Sequence, residues 1–119
     1  EVTIVLGTEI FDNNADFASN SFTAPVTGKY RFDVSLRLGA VDQASEYYLT
    51  RLNTSNRNHD MIVDSNEFSS DLDYLAFTFS VLTDMDANDT ATLKFYQNSG
   101  AAQTDVDQSN TRLSGNLVC

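Results

Sequence analysis

The sequence predicts an all-β domain, a sandwich or barrel of short strands, and three observations carry that expectation. Residues 29–38 alternate without a break. Tyr30, Phe32, Val34, Leu36 and Leu38 fall on one face, and Lys29, Arg31, Asp33, Ser35 and Arg37 on the other. A period of two sorts residues this way on a half-buried strand and not on a helix. Residues 72–82 repeat the pattern, with Leu75, Phe77, Phe79 and Val81 sharing a face. Strand-like runs recur at spacings of about 8–12 residues, and no helical stripe of any length interrupts them.

In chain order, Val2, Ile4 and Leu6 alternate with Thr3 and Val5 as a first short strand, which Gly7 ends. Residues 10–17 (IFDNNADF) read as a loop rich in Asp and Asn, with Phe11 and Phe17 as anchors into the core. A short strand at 21–23 follows. Pro25, the only proline, and Gly28 then mark a sharp reversal into the long strand that runs to Leu38. Residues 39–45 are a polar break, and 46–52 (EYYLTRL) are rich in β-formers. Residues 53–58 (NTSNRN) have a turn composition, 59–64 (HDMIVD) a short strand, and 65–71 are polar. After the strand at 72–82, residues 83–89 (TDMDAND) read as a tight acidic turn. Residues 90–97 (TATLKFYQ) place Ala91, Leu93 and Phe95 on one face, and 98–110 form a long polar loop. Residues 111–119 (TRLSGNLVC) close the chain as a strand with Leu113, Leu117 and Cys119 on one side. No repeat, low-complexity segment or linker divides residues 1–119, which read as a single domain.

Hydrophobic residues make up 41% of the 119, enough for a packed core. No apolar run approaches the ~20 residues that span a bilayer, and no signal peptide is visible. Residue 1 is not methionine and lies in a strand-like run, so the chain reads as the C-terminal part of something longer. Net charge is −10, from 17 acidic and 7 basic residues. That balance disfavours nucleic acid and anionic membranes as partners, and suits an exposed surface or sites for divalent cations. The one cysteine, Cys119, excludes an internal disulfide; it reads as a small apolar group in a strand, with pairing between chains as the other option.

An enzyme is not expected. His59, the only histidine, lies between Asn58 and Asp60 and reads as a solvated turn residue. Histidine and cysteine together are too few for a zinc site, and no glycine-rich phosphate loop is present. A carboxylate pair for glycoside hydrolysis stays open, because pairing depends on the fold. Asp84, Asp86 and Asp89 place oxygens as in the first half of an EF-hand loop. The sixth position is Asp89 instead of glycine, however, and the twelfth is Phe95 instead of glutamate. The turn is therefore expected to use Asn88 and Asp89 at positive φ, or to hold calcium jointly with Asp105 and Asp107. Two Asn-x-Ser/Thr sequons, at Asn53 and Asn88, matter only on a eukaryotic secretory route. Tyr47, Tyr96, Asn98 and Gln97 are candidates for stacking on and hydrogen bonding to sugars.

Three pieces then align in order. Phe22-Thr23-Ala24-Pro25-Val26-Thr27-Gly28-Lys29-Tyr30-Arg31-Phe32 resembles the Phe-x-x-Pro-x-x-Gly-x-Tyr-x-Phe signature of the complement C1q globular head, in the C1q/TNF-like group. Asn88-Asp89-Thr90-Ala91-Thr92-Leu93 is similar to that family's Gly-Asp-x-Val-x-Leu turn and strand. Leu113-Ser114-Gly115-Asn116-Leu117-Val118 is similar to its closing Phe-Ser-Gly-Phe-Leu-Leu strand. Asn88 departs from the glycine and Asn116 from an aromatic, and the extra cysteines and collagen stalk of vertebrate members are not seen. Glu9 to Asn13 ahead of Phe17, with residues 96–100 (YQNSG), look most like bacterial and bacteriophage versions.

The resemblance implies a two-sheet antiparallel jelly roll of roughly ten strands, a homotrimer, and a recognition module on a longer stalk without catalysis. It places the domain at the virion surface, as a fibre, decoration or receptor-binding head among other virion proteins, attached to a host-surface glycan or protein. The alternatives are a structural cap or capsid brace that only trimerises, or a secreted lectin or adhesin. Contacts are expected in the loops 39–45, 53–58, 65–71 and 98–110, with Asn53, Asn56, Arg57, Tyr47, Asn98 and Gln103 as binding residues. A trimer would gather three copies of each acidic loop, so its stability is expected to depend on calcium or magnesium.

Overall fold

In the computed structural model, residues 2–3, 17–18, 20–100, 103–107 and 110–119 are described. The strands are β1 (Val2–Thr3), β2 (Phe17–Ala18), β3 (Ser21–Thr23), β4 (Gly28–Val41), β5 (Tyr47–Thr54), β6 (Asn58–Val63), β7 (Leu72–Met85), β8 (Thr90–Asn98), β9 (Asp105–Val106) and β10 (Arg112–Leu117). A single turn of 3₁₀ helix, Ser65–Glu67, precedes β7. The predicted strand residues 4–6, and the anchor Phe11, lie outside the described residues.

The alternating run becomes the centre of one sheet. β4 pairs with β7 from Gly28↔Met85 to Val41↔Leu72, and its other edge takes β10 and then β9. The second sheet runs β2-β3-β8-β5-β6, with β1 beside the far part of β8. All these pairs are antiparallel. The inner faces of the two sheets meet in one core. Val34, Leu36, Leu38 and Val41 of β4 pack with Tyr48 of β5 and with Leu93 and Phe95 of β8. Beside them, Tyr30 and Phe32 pack with Phe22, Ala24, Leu52, Met85 and Ala91. Leu36 and Leu52 are fully buried, and each such side chain contributes about 1.5–3 kcal/mol. The fold is an all-β sandwich of two antiparallel sheets.

The strands run longer than their alternation suggested. β4 continues past Leu38 through the expected polar break, because its ladder to β7 does not stop there. Ala40 adopts φ 56°, a left-handed conformation that costs roughly 1–2 kcal/mol in a non-glycine residue. It rotates the strand so that Val41 is buried despite its parity, and Leu72 opposite packs on the same core. β7 continues to Met85, which shortens the acidic turn to 86–89. The expected loop 98–110 contains β9.

The three sequence motifs meet at one end of the sandwich. A Cβ on Gly28 would stand 2.7 Å from Leu117 Cδ1 and 2.8 Å from the Cys119 carbonyl. Close approach, and not a turn conformation, is what requires glycine there. Gly115 is the register partner of Phe32 and lies under its ring. The Asn88 amide donates to the Ala24 carbonyl, and the Ala24 amide to the Asp89 carbonyl, both at 2.8 Å. The buried Tyr30 hydroxyl donates to the Val26 carbonyl and closes the proline turn. In the acidic turn Asn88 takes φ 76°, as expected, whereas Asp89 does not take positive φ. Cys119 corrects its expectation: it lies exposed beyond β10, and its carbonyl accepts from the Lys29 amide at 2.9 Å.

Candidate functional site

β5, β6 and β8 turn their odd or even residues outward in register, and this places side chains in rows across the outer face of the larger sheet. Tyr47 pairs with Asn98, and Leu49 pairs with Tyr96 on one side and Ile62 on the other. The Tyr47 and Tyr96 rings lie 6.2 Å apart, tilted by 51°. Ile62 is 55% exposed and Tyr96 37%. Asn98 Nδ2 donates to Glu46 Oε2 at 3.0 Å, which fixes the amide at the rim. One row further on, Arg51 and Asp60 form a two-pronged ion pair at 2.7 and 3.0 Å. The sequence candidates Tyr47, Tyr96 and Asn98 therefore come together. They lie on strands and not in loops. Gln97 faces the other way, where its Oε1 accepts from the Thr104 amide at 2.9 Å. Glu46, Leu49 and Ile62 join the group only through strand register, which residue types do not reveal.

The other predicted contact residues lie elsewhere. Asn53 ends the outward row of β5, where its amide donates to Asn58 Oδ1. It is about 20 Å from Tyr47 at the usual strand rise. Asn56 Nδ2 donates to the Asp84 carbonyl at 3.1 Å, and Arg57 pairs with the Asp84 carboxylate at 2.7 Å. That turn therefore clasps the end of β7. Gln103 is exposed, next to the buried Thr104.

The acidic candidates divide between opposite ends of β4. Asp84 is the register partner of Lys29, and Asp105 of Gly39. The ten residues between correspond to about 33 Å, so one ion in one chain cannot be shared by the two groups. Asp89 Oδ2 accepts from the Asp86 amide within the turn. No group of three or more metal-ligating side chains is formed among the described residues. At the other end a shallow cleft is lined by Gly39, Ala40, Asp73, Tyr74, Asp105 and Asp107. The Arg37 guanidinium lies 3.9 Å above the Tyr74 ring and bonds Asp107 at 3.0 Å.

His59 is not a solvated turn residue. β6 directs it between the sheets, where Nε2 meets Thr83 Oγ1 at 3.0 Å. Burial, and then the Arg57 charge, lower its pKa, while Asp60 and Asp84 pull it back up. Thr83 is 4% exposed, and no carboxylate bonds the other ring nitrogen among the described residues. The pair therefore ties the sheets together and offers no accessible nucleophile.

No family model matches the chain, and no curated protein matches it. Among solved structures it is similar to the globular domain of a zebrafish complement 1qA protein. Identity is 20%, with 95% of this chain and 78% of that chain covered, and the TM-score is 0.57. The likeness shows the fold, a C1q-like jelly roll.

Proposed function

We propose that the chain is the trimeric head of a virion-borne attachment protein that engages a glycan or protein on a host surface without catalysis. One observation carries the assembly: burial is uneven across the core. The inward residues of β4 are closed off, but Leu75, Phe77, Phe79 and Val81 of β7, and Met61 and Val63 of β6, stay half-buried. β6 and β7 are both sheet edges among the described residues, and beyond the His59–Thr83 tie at one end the described residues leave the margin between them only partly covered. A domain this small gains by closing such a margin against another subunit. The fold likeness supports a recognition role, and the residues that look most like bacterial and bacteriophage versions of the domain support the virion placement.

Light scattering tests the assembly. A mass three times the 13.2 kDa of one chain is expected, and a monomer at micromolar concentration overturns the reading. Saturable binding to intact host cells tests attachment; a heat-resistant trimer without binding is instead a structural cap. Three copies would carry three times the −10 charge of one chain, so added calcium is expected to raise the trimer's melting temperature and EDTA to lower it.

A further inference from the structure

The outer face of the larger sheet has a feature that the core packing does not use. Tyr96, Leu49 and Ile62 form one cross-strand row over β8, β5 and β6, and Tyr47 adjoins it diagonally. Apolar and aromatic groups in register on a solvent face gain nothing from the core. At the rim, Asn98 and Glu46 are joined by one hydrogen bond. Asn98 Oδ1, Glu46 Oε1 and both tyrosine hydroxyls make none among the described residues. We propose that this platform is a binding site for a neutral oligosaccharide, whose apolar pyranose faces stack on Tyr47 and Tyr96. Its hydroxyls donate to Asn98 Oδ1 and the Glu46 carboxylate.

Size and charge select this occupant. Three strands set the row at about 10 Å across, and two outward positions make it about 7 Å along the strands. That matches one or two sugar rings and falls far short of the about 800 Å² per partner of a stable protein interface. A second copy of the chain is therefore the wrong scale. Tyrosine suits the amphipathic face of a sugar, with an apolar ring and a polar tip. Two rings tilted by 51° follow the turn between successive sugars better than one flat surface. An anionic glycan is disfavoured, because the chain carries −10 and the Arg51 guanidinium of the next row is held by Asp60.

The inference rests on the attachment reading and names its ligand class. The test titrates the ¹⁵N-labelled protein with chitotetraose, cellotetraose, maltotetraose and, as the anionic arm, 6′-sialyllactose. At least one neutral tetrasaccharide is expected to shift the amides of Tyr47, Tyr96 and Asn98. Tyr96→Ala should weaken binding about tenfold or more, Tyr96→Phe should keep it, and Tyr74→Ala in the distant cleft should leave it unchanged. All these side chains are partly or well exposed, so folding is not at stake. The proposal is overturned by the absence of shifts up to about 10 mM sugar, by binding that survives Tyr96→Ala, by shifts centred on Tyr74, or by preference for the sialylated arm. Light scattering on the same samples separates the two readings. A trimer without shifts removes the sugar site alone, and a monomer with shifts removes the assembly alone.

Discussion

Gly115→Ala probes the meeting of two sequence motifs. The added methyl would stand 2.5 Å from Phe32 Cε1, 2.8 Å from Cδ1 and 3.4 Å from Cζ. The Phe32 ring has nowhere to go: it is fully buried and lies edge-on to Phe22, 5.1 Å away at 85°. Relieving the contact needs a shift of about 1 Å in that ring, and overpacking of this kind costs about 1–3 kcal/mol. Part of the aromatic pairing, about 0.5–1.5 kcal/mol, goes with it. Removing a glycine from a strand returns about 0.5–1 kcal/mol. The net expectation is a loss of about 2 kcal/mol, or a melting temperature lower by roughly 8 °C for a domain of this size. Urea unfolding at fixed protein concentration should show a lower midpoint with an unchanged slope. Gly39→Ala is the control, because its Cβ would meet Tyr74 at an ordinary 3.6 Å. If Gly115→Ala proved as stable as the parent, or only as affected as Gly39→Ala, the packing argument would be refuted.

Thr50 Oγ1 is buried without a hydrogen-bond partner. The near-isosteric Thr50→Val should raise unfolding free energy by about 1 kcal/mol in urea titrations. Asn88→Gly relieves the φ of 76°, for a gain of about 1 kcal/mol by the same measurement. The pKa of His59 is lowered from 6.5 by burial, so its contribution to stability is complete above that value. It is lost as pH falls through the lower folded value, and His59→Gln should flatten that part of the curve. A second fall is expected below 3.8, where Asp33, held low chiefly by the Ser80 hydroxyl, and Asp60, held low chiefly by Arg51, become protonated. Melting curves from pH 8 to about pH 3 in parent and variant resolve both steps.

The strands and their core faces were legible because period-two patterning is local. Tyr30 through Leu38 face the core where alternation puts them. What alternation cannot carry is partnership. Gly28 looked like a turn residue, and only the return of β10 shows that Leu117 and Cys119 crowd it. His59 looked solvated because its neighbours in sequence are polar, yet Thr83 of the other sheet is what it meets. The same limit applies to the platform. Tyr47, Tyr96 and Asn98 could be nominated by side-chain chemistry, whereas Leu49 and Ile62 become their neighbours through a register set by three separate strands. Asp84 and Asp105 looked like partners in one acidic site, and the length of β4 separates them.

That wiring also bears on how the polypeptide is made. β4 finds its 14-residue partner β7 only after the intervening hairpin has emerged, and β3 waits for β8. The margin beside β4 is closed last, by residues 112–117. On a ribosome, the strand that supplies the most buried core residues is therefore unmatched until residues 72–85 have emerged. The smaller sheet is completed only once residues 112–117 have emerged and β10 covers that margin. Premature termination before residue 112 would leave a sticky intermediate in place of a shortened domain.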